Sequence, residues 1–125
     1  MAKQVIVMRR DLDVKCGKLI AQGAHASCSF FSERERTFMA TGQYVPPSPA
    51  EQEWILGRFT KIVLGVDSEA ELLDIFEKAK AAGLKAFLIQ DAGLTCFKGP
   101  THTCVGIGPD FDDKINAVTG HLKLL

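Results

Sequence analysis

Lys18, Gln22, His25 and Ser29 recur at intervals of four, three and four residues, the spacing that stacks side chains along one line of an α-helix. An ammonium, an amide, an imidazole and a hydroxyl in one line can position a water, hold an oxyanion and move a proton. Projected at about 100° per residue, the four polar groups fall within roughly 60° of one another. Leu19, Ile20, Gly23, Ala24, Ala26, Phe30 and Phe31 fill the opposite side, so the pattern predicts a helix that docks by that side and offers the polar line. A solvated amphipathic face is the alternative. Such faces favour Glu, Lys and Arg over a Gln, a His and a Ser set among small residues.

A second group lies far along the chain. Asp91-Ala-Gly-Leu-Thr95 follows an apolar run at residues 86–90, the kind of position at which open α/β sheets gather ligand-binding loops. The same loop leads to Thr101 and Thr103. If the first and third strands are neighbours, the helix after the first begins at the edge where Asp91 emerges, and Lys18 meets Asp91. Ordinary turn and strand duties for Asp91, Thr95, Thr101 and Thr103 are the alternative.

The elements that must position these groups are legible as alternating strands and helices. Residues 4–8 are β-branched and apolar and end at Arg9-Arg10-Asp11, which predicts a buried first strand. A helix over residues 17–38 follows, stopped by Gly42 and Pro46-Pro47. Ser48-Pro49-Ala50-Glu51 carries an N-cap, a first-turn proline and a capping-box glutamate, so a short helix runs to Leu56 with Trp54 turned inward. Strands at 61–66, 86–90 and 101–107 and helices after Asp67 or Ser68 and at 111–119 complete the reading. Crossovers through helices imply parallel strands, and the direct join between the third and fourth strands implies a reversal, hence a mixed sheet.

A chain of 125 residues forms one domain, residues 1–125, and is too short for two. Basic and acidic residues both number 15, so a nucleic-acid partner must be met by a local patch. Arg9, Arg10, Lys15 and Lys18 are the candidates, diluted by Asp11 and Asp13. Cys16, Cys28, Cys96 and Cys104 form no CxxC pair and read as reduced thiols. The start is neither a signal peptide nor a membrane span, so a soluble cytoplasmic protein with no membrane partner is expected. Cys96, His102 and Cys104 could be imagined as zinc ligands, but their spacing is unlike the usual structural sites and a fourth ligand is not evident, so no metal is expected. A nucleophilic Cys28 or Cys104 beside a histidine is a rival catalytic reading, and Gly106-x-Gly108 is an incomplete nucleotide fingerprint. His121 is read as part of a tail that docks back on the domain.

In order and over nearly its full length, the chain resembles the class II peptidyl-tRNA hydrolases of archaea, eukaryotes and some bacteria. The resemblance rests on Lys3-Gln-Val-Ile-Val with Arg9 and Asp11-Leu12, then Gly17-Lys18, Ala21-Gln22, His25-Ala26-Ser27 and Lys61-Ile-Val-Leu. It continues through Asp91-Ala-Gly, Thr95, Thr101, Thr103, Ile107-Gly-Pro and Val118-Thr-Gly-His-Leu-Lys-Leu-Leu125. It implies a three-layer α/β/α domain with a four-stranded mixed sheet, a homodimer, and no cofactor. The implied activity is hydrolysis of the ester joining a peptide to tRNA, which recycles the tRNA. By the same resemblance Lys18, Asp91, Thr95, Thr101 and Thr103 belong to the site, with Gln22 and His25 matched as well.

There are departures from the archaeal and eukaryotic pattern. Gln90 and Leu94 stand where arginines commonly flank Asp-Ala-Gly, Gly99-Pro100 reverses a usual Pro-Gly, and His102 replaces a frequent arginine. Fewer cations there weaken any phosphate grip. Bacterial members share the Leu-Thr and Pro-Thr-x-Thr forms, so the resemblance points to a bacterial branch.

For such an ester the task is to orient water and stabilise an oxyanion, and no covalent nucleophile is required. Asp91 or His25 takes the proton, Lys18 stabilises negative charge, and Gln22 and Thr101 orient the substrate. Thr95, Thr103, Arg9 and Lys15 are the expected substrate contacts. A Lys18–Asp91 ion pair keeps both charged and weakens Asp91 as a base. The competing class is a non-catalytic RNA-binding or protein-interaction module on the same fold.

Overall fold

Alternation along the first strand sets the architecture. In a computed structural model that describes residues 1–94 and 97–125, β1 (Ala2–Arg9) sends Val5 and Val7 into one apolar cluster and Ile6 and Met8 into another. A strand that is apolar on both faces must be covered on both. β2 (Lys61–Val66) runs parallel to β1, and β4 (Thr101–Phe111) runs antiparallel on its other flank. β3 (Ala86–Asp91) pairs antiparallel with β4, giving the order β3-β4-β1-β2-β5, where β5 is Lys123–Leu124.

The sheet is mixed, as expected, but it has five strands and not four. The added β5 holds only two residues, antiparallel to Leu64 and Gly65 of β2, and so short a strand leaves no periodicity to read. Its anchor is Arg10, whose guanidinium donates to the carbonyls of Lys123 at 3.3 Å and Leu124 at 3.0 Å. Gly65 makes room for that arginine, because a Cβ there would lie 2.5 Å from Arg10 Cζ. The tail therefore docks as expected, with His121 left exposed.

Two pairs of helices cover the two clusters. α3 (Glu69–Ala81) and α4 (Asp112–Thr119) bring Leu72, Ile75, Ala79, Ile115 and Val118 to Val5, Val7, Val105 and Ile107. α1 (Cys16–Thr41) and α2 (Pro49–Leu56) bring Ala26, Phe30 and Trp54 to the other side. The capping box at Ser48 and Glu51 is formed, and Ser68 rather than Asp67 caps α3 through the Glu71 N–H. α1 passes residue 38 and stops at Gly42, whose φ of 73° suits glycine and whose N–H meets the Phe38 carbonyl. Among the described residues no helix is long and apolar enough to cross a membrane.

The docking side of α1 differs from the sequence expectation. Gln22, Ala26 and Phe30 are buried, whereas Ile20 is 70% exposed and Ala24 and Phe31 also face outward. A helix lying on a sheet can bury only part of its circumference, and the apolar set read from the sequence was wider than that. The sector taken includes Gln22, so the polar line runs along the seam between helix and sheet. Three polar tethers hold it there. Ser27 and Gln4 exchange hydrogen bonds, the Cys104 thiol donates to the Gln22 carbonyl, and Thr103 donates to the Gln22 side chain. Gly106 permits the close approach, since a Cβ on it would stand 2.5 Å from the Ala26 carbonyl oxygen.

The first and third strands are not neighbours, because β4 lies between them. The direct join of β3 to β4 makes an antiparallel pair, and β4 then returns alongside β1. β3 and β1 still point the same way, and their C-terminal ends share one edge of the sheet. β4 also continues past Gly108-Pro109 to Phe111, because pairing with β1 resumes at Lys3–Asp110 and Ala2–Phe111 after a register shift.

Candidate active site

Asp91 closes β3 where the chain turns. Its Oδ1 accepts the Gly93 N–H at 2.8 Å, an Asx turn of the sort the sequence offered as an alternative. Gly93 has φ +81°, and a Cβ on it would collide with the Gly99 backbone at 2.4 Å. Both ends of the loop are therefore held close, and the carboxylate is fixed by its own main chain.

The other carboxylate oxygen faces α1. Asp91 Oδ2 lies 2.8 Å from Lys18 Nζ and accepts from Gln22 Nε2 at 3.0 Å. Gln22 Oε1 accepts in turn from the Thr103 hydroxyl at 2.7 Å. The chain of contacts runs Thr103, Gln22, Asp91, Lys18, and it joins β4, α1 and the end of β3. Lys18 also lies over the Phe97 ring at 5.6 Å, a cation–π contact that nothing in the spacing announced. Only 17% of the Lys18 side chain and 13% of the Asp91 side chain are exposed, enough to meet a ligand while most of each is screened from water.

The hydrogen bond from Lys18 holds the Asp91 carboxyl below the usual carboxylate range, helped by the Gly93 N–H and by Gln22 and opposed by partial burial. The carboxylate thus stays ionised at neutral pH beside a cation. Such a pair can present positive charge to a developing oxyanion and a fixed acceptor to a water.

The remaining candidates divide by position. Thr101 donates to the Gly99 carbonyl at 2.9 Å and lies half-buried in the turn. Thr103 is fully buried, so its contact is with Gln22 and not with solvent. His25 and Ser29 sit on the outer rim of the seam, His25 exposed and Ser29 donating to the His25 carbonyl. Thr95 and Cys96 lie outside the described residues.

The basic patch is partly consumed inside the fold. Arg9 pairs with Asp11 through two nitrogens at 2.9 and 2.7 Å, donates to the His102 carbonyl at 3.0 Å, and stands 3.6 Å from Glu69. Arg10 holds the tail. Lys15 remains exposed at the start of α1.

Of the two suggested nucleophiles Cys28 is exposed, whereas Cys104 is buried, its thiol donates to a carbonyl, and burial pushes its pKa up to about 11. A thiol so protonated is a poor nucleophile at neutral pH. The sequence marks Thr103 only as one loop threonine among several. Its role shows once β4 is seen to run directly beneath Gln22.

This arrangement predicts a separable effect for Thr103→Val. The change keeps the shape but leaves Gln22 Oε1 buried without its donor, costing about 1–3 kcal/mol of stability. Because Gln22 then loses its fixed orientation toward Asp91, kcat for the reaction at this site is expected to fall about tenfold. Denaturant unfolding and turnover of the same preparation check both; Thr103→Ser should restore most of each.

Comparison with known proteins covers nearly the whole chain. The profile of the family described as Peptidyl-tRNA hydrolase PTH2 matches residues 2–125. A protein named peptidyl-tRNA hydrolase from Methanocaldococcus jannaschii is 43% identical, covering 98% of this chain and 99% of its own. One from Methanopyrus kandleri is 44% identical over 100% of this chain and 99% of its own, and one from Methanothermobacter thermautotrophicus is 41% identical over 98% and 99%. These relatives are archaeal, so they do not support the bacterial branch inferred from the Leu-Thr and Pro-Thr-x-Thr forms. On the full-length match and on these identities, the chain belongs to the Peptidyl-tRNA hydrolase PTH2 family.

Proposed function

We propose that the protein hydrolyses the ester between a peptide, or an N-blocked amino acid, and tRNA, releasing the tRNA for reuse. The observation that carries this reading is the ion pair of Lys18 and Asp91 at 2.8 Å, tied to Gln22 and set at the mouth of the seam between α1 and β3. Family membership and relatives named peptidyl-tRNA hydrolase over nearly their full length support it.

In this mechanism a water adds to the ester carbonyl. Lys18 stabilises the negative charge that develops on the carbonyl oxygen, and Gln22 and Thr101 orient the substrate. The carbon–oxygen bond to the ribose then breaks, and the ribose oxygen takes a proton. Asp91 and His25 are the two acceptors for the proton that the water loses. Lys15 meets the phosphate backbone, where a single exposed ammonium contributes modestly and in a salt-dependent way. Arg9 braces the start of β4 against the loop before α1, and Thr95 and Thr103 complete the set, Thr103 through Gln22.

We further take the helices on the two faces as the outer layers of a three-layer α/β/α domain. The protein is read as a cytoplasmic homodimer that needs no cofactor. Light scattering checks the dimer, for which twice the chain mass of 13.6 kDa is expected. The central test is release of free tRNA from N-acetyl-aminoacyl-tRNA by purified protein. Binding without release would point instead to a non-catalytic RNA-binding module.

A further inference from the structure

Next to the ion pair, α1 and β3 enclose an open groove of about 560 Å³. Ala21, Ala24, His25 and Cys28 line it on the helix side, and Leu88 and Gln90 on the strand side. β3 is the terminal strand of the sheet, so among the described residues its outer main-chain edge pairs with no other strand. Sheet edges are usually guarded by lysine or proline. The run Ala-Phe-Leu-Ile-Gln at residues 86–90 has neither; Lys85 before it is paired with Glu51, and Asp91 follows it.

We propose that this groove takes the peptide part of the substrate as an extended strand added to the edge of β3. The inference rests on the ester-hydrolase reading above. Direction follows from chemistry. The ester carbon belongs to the C-terminal residue of the peptide, and the C-terminal residue of β3 is Asp91. A peptide whose C-terminus is held at Asp91 and which follows β3 therefore runs parallel to it.

Charge separates the peptide from the nucleic acid. Arg36 is the one basic side chain, histidine aside, among the described residues lining the groove, whereas an RNA strand is gripped through several phosphate contacts. A peptide needs main-chain donors and acceptors, which a bare strand edge supplies without reading side chains. Such recognition suits a substrate whose peptide sequence varies. Small residues on the helix side leave room for side chains that turn toward α1. Leu88, Ile89 and Gln90 line the groove within a strand of six residues, so at about 3.3 Å per residue the benefit of a longer peptide saturates by six residues.

The test compares N-acetyl-aminoacyl-tRNA with an N-acetyl-hexapeptidyl-tRNA ending in the same residue. Wild-type kcat/KM is expected to be about tenfold higher for the hexapeptide, the worth of one or two net main-chain hydrogen bonds. Ala24→Trp, and independently Cys28→Trp, fill the groove and should bring that ratio close to one. N-methylation of alternate peptide amides should do the same in the wild type. A ratio near one in the wild type, or a ratio unchanged in both variants, overturns the proposal. If a variant changes the mass in light scattering while the ratio stays, the groove seats a second copy of the chain and the proposal falls. Failure to cleave even the short substrate would instead remove the hydrolase reading, and this inference with it.

Discussion

Lys18→Ala and Asp91→Ala, each in folded protein, are expected to lower kcat for ester cleavage by about 10²–10³-fold, the usual loss when one preorganised charge-stabilising group is removed. The two substitutions fail for different reasons. Without Lys18 the developing oxyanion loses its cation. Without Asp91, Lys18 Nζ, Gln22 Nε2 and the Gly93 N–H all lose an acceptor together, so the ammonium is no longer aimed. Because they act as one unit, the double variant should be little worse than either single one. Single-turnover release of tRNA measures this, and near-unchanged rates in both variants would end the assignment.

The pH dependence has a definite sign. Because Lys18, then the Gly93 N–H, hold the Asp91 carboxyl below its ordinary value, the ion pair is fully formed above about pH 4. It is lost only as the pH falls through the lowered folded value. With Asp91 as proton acceptor, the acidic limb of kcat therefore lies below about pH 4. An acidic limb at higher pH that vanishes in His25→Ala would instead assign the proton to His25.

The largest expected effect on stability is at Trp54. Its side chain is 1% exposed, with the rings of Phe30, Phe31 and Phe59 centred 6.0, 6.0 and 4.2 Å away. Its Nε1 donates to the Thr60 carbonyl at 2.7 Å, and Lys61 lies 5.2 Å from its ring. Trp54→Ala removes the ring that joins α2 to α1 and to the start of β1, and leaves the Thr60 carbonyl with the Gln4 N–H as its donor. A loss of about 3–5 kcal/mol is expected, a fall in Tm of roughly 12–20 °C for a domain of this size. Phe30 stands twelve residues beyond Lys18 on α1, about 18 Å along the axis. Turnover at low temperature should therefore stay within about twofold. Calorimetry and the release assay, run together, check that the two ends of α1 are energetically separate.

The sequence by itself determined the elements and the chemistry they carry. Local patterns are enough for that: β-branched runs for β1 and β2, Ser48-Pro49-Ala50-Glu51 for the start of α2, and four polar residues at helical spacing on α1. It also named both members of the ion pair, because Lys18 and Asp91 each sit at the start or end of an element whose type the chain makes plain. Tertiary structure decided what those residues face. Which sector of α1 meets the sheet depends on the close approach at Gly106 and on the tethers from Gln4, Thr103 and Cys104, all distant in sequence. That choice turned Gln22 inward, left Ile20 in solvent and set His25 on a groove rim. The insertion of β4 between β1 and β3, and the two-residue β5 held by Arg10, likewise come from pairings across the chain. Periodicity reports which side chains share a face, and only long-range packing chooses the surface that face will touch.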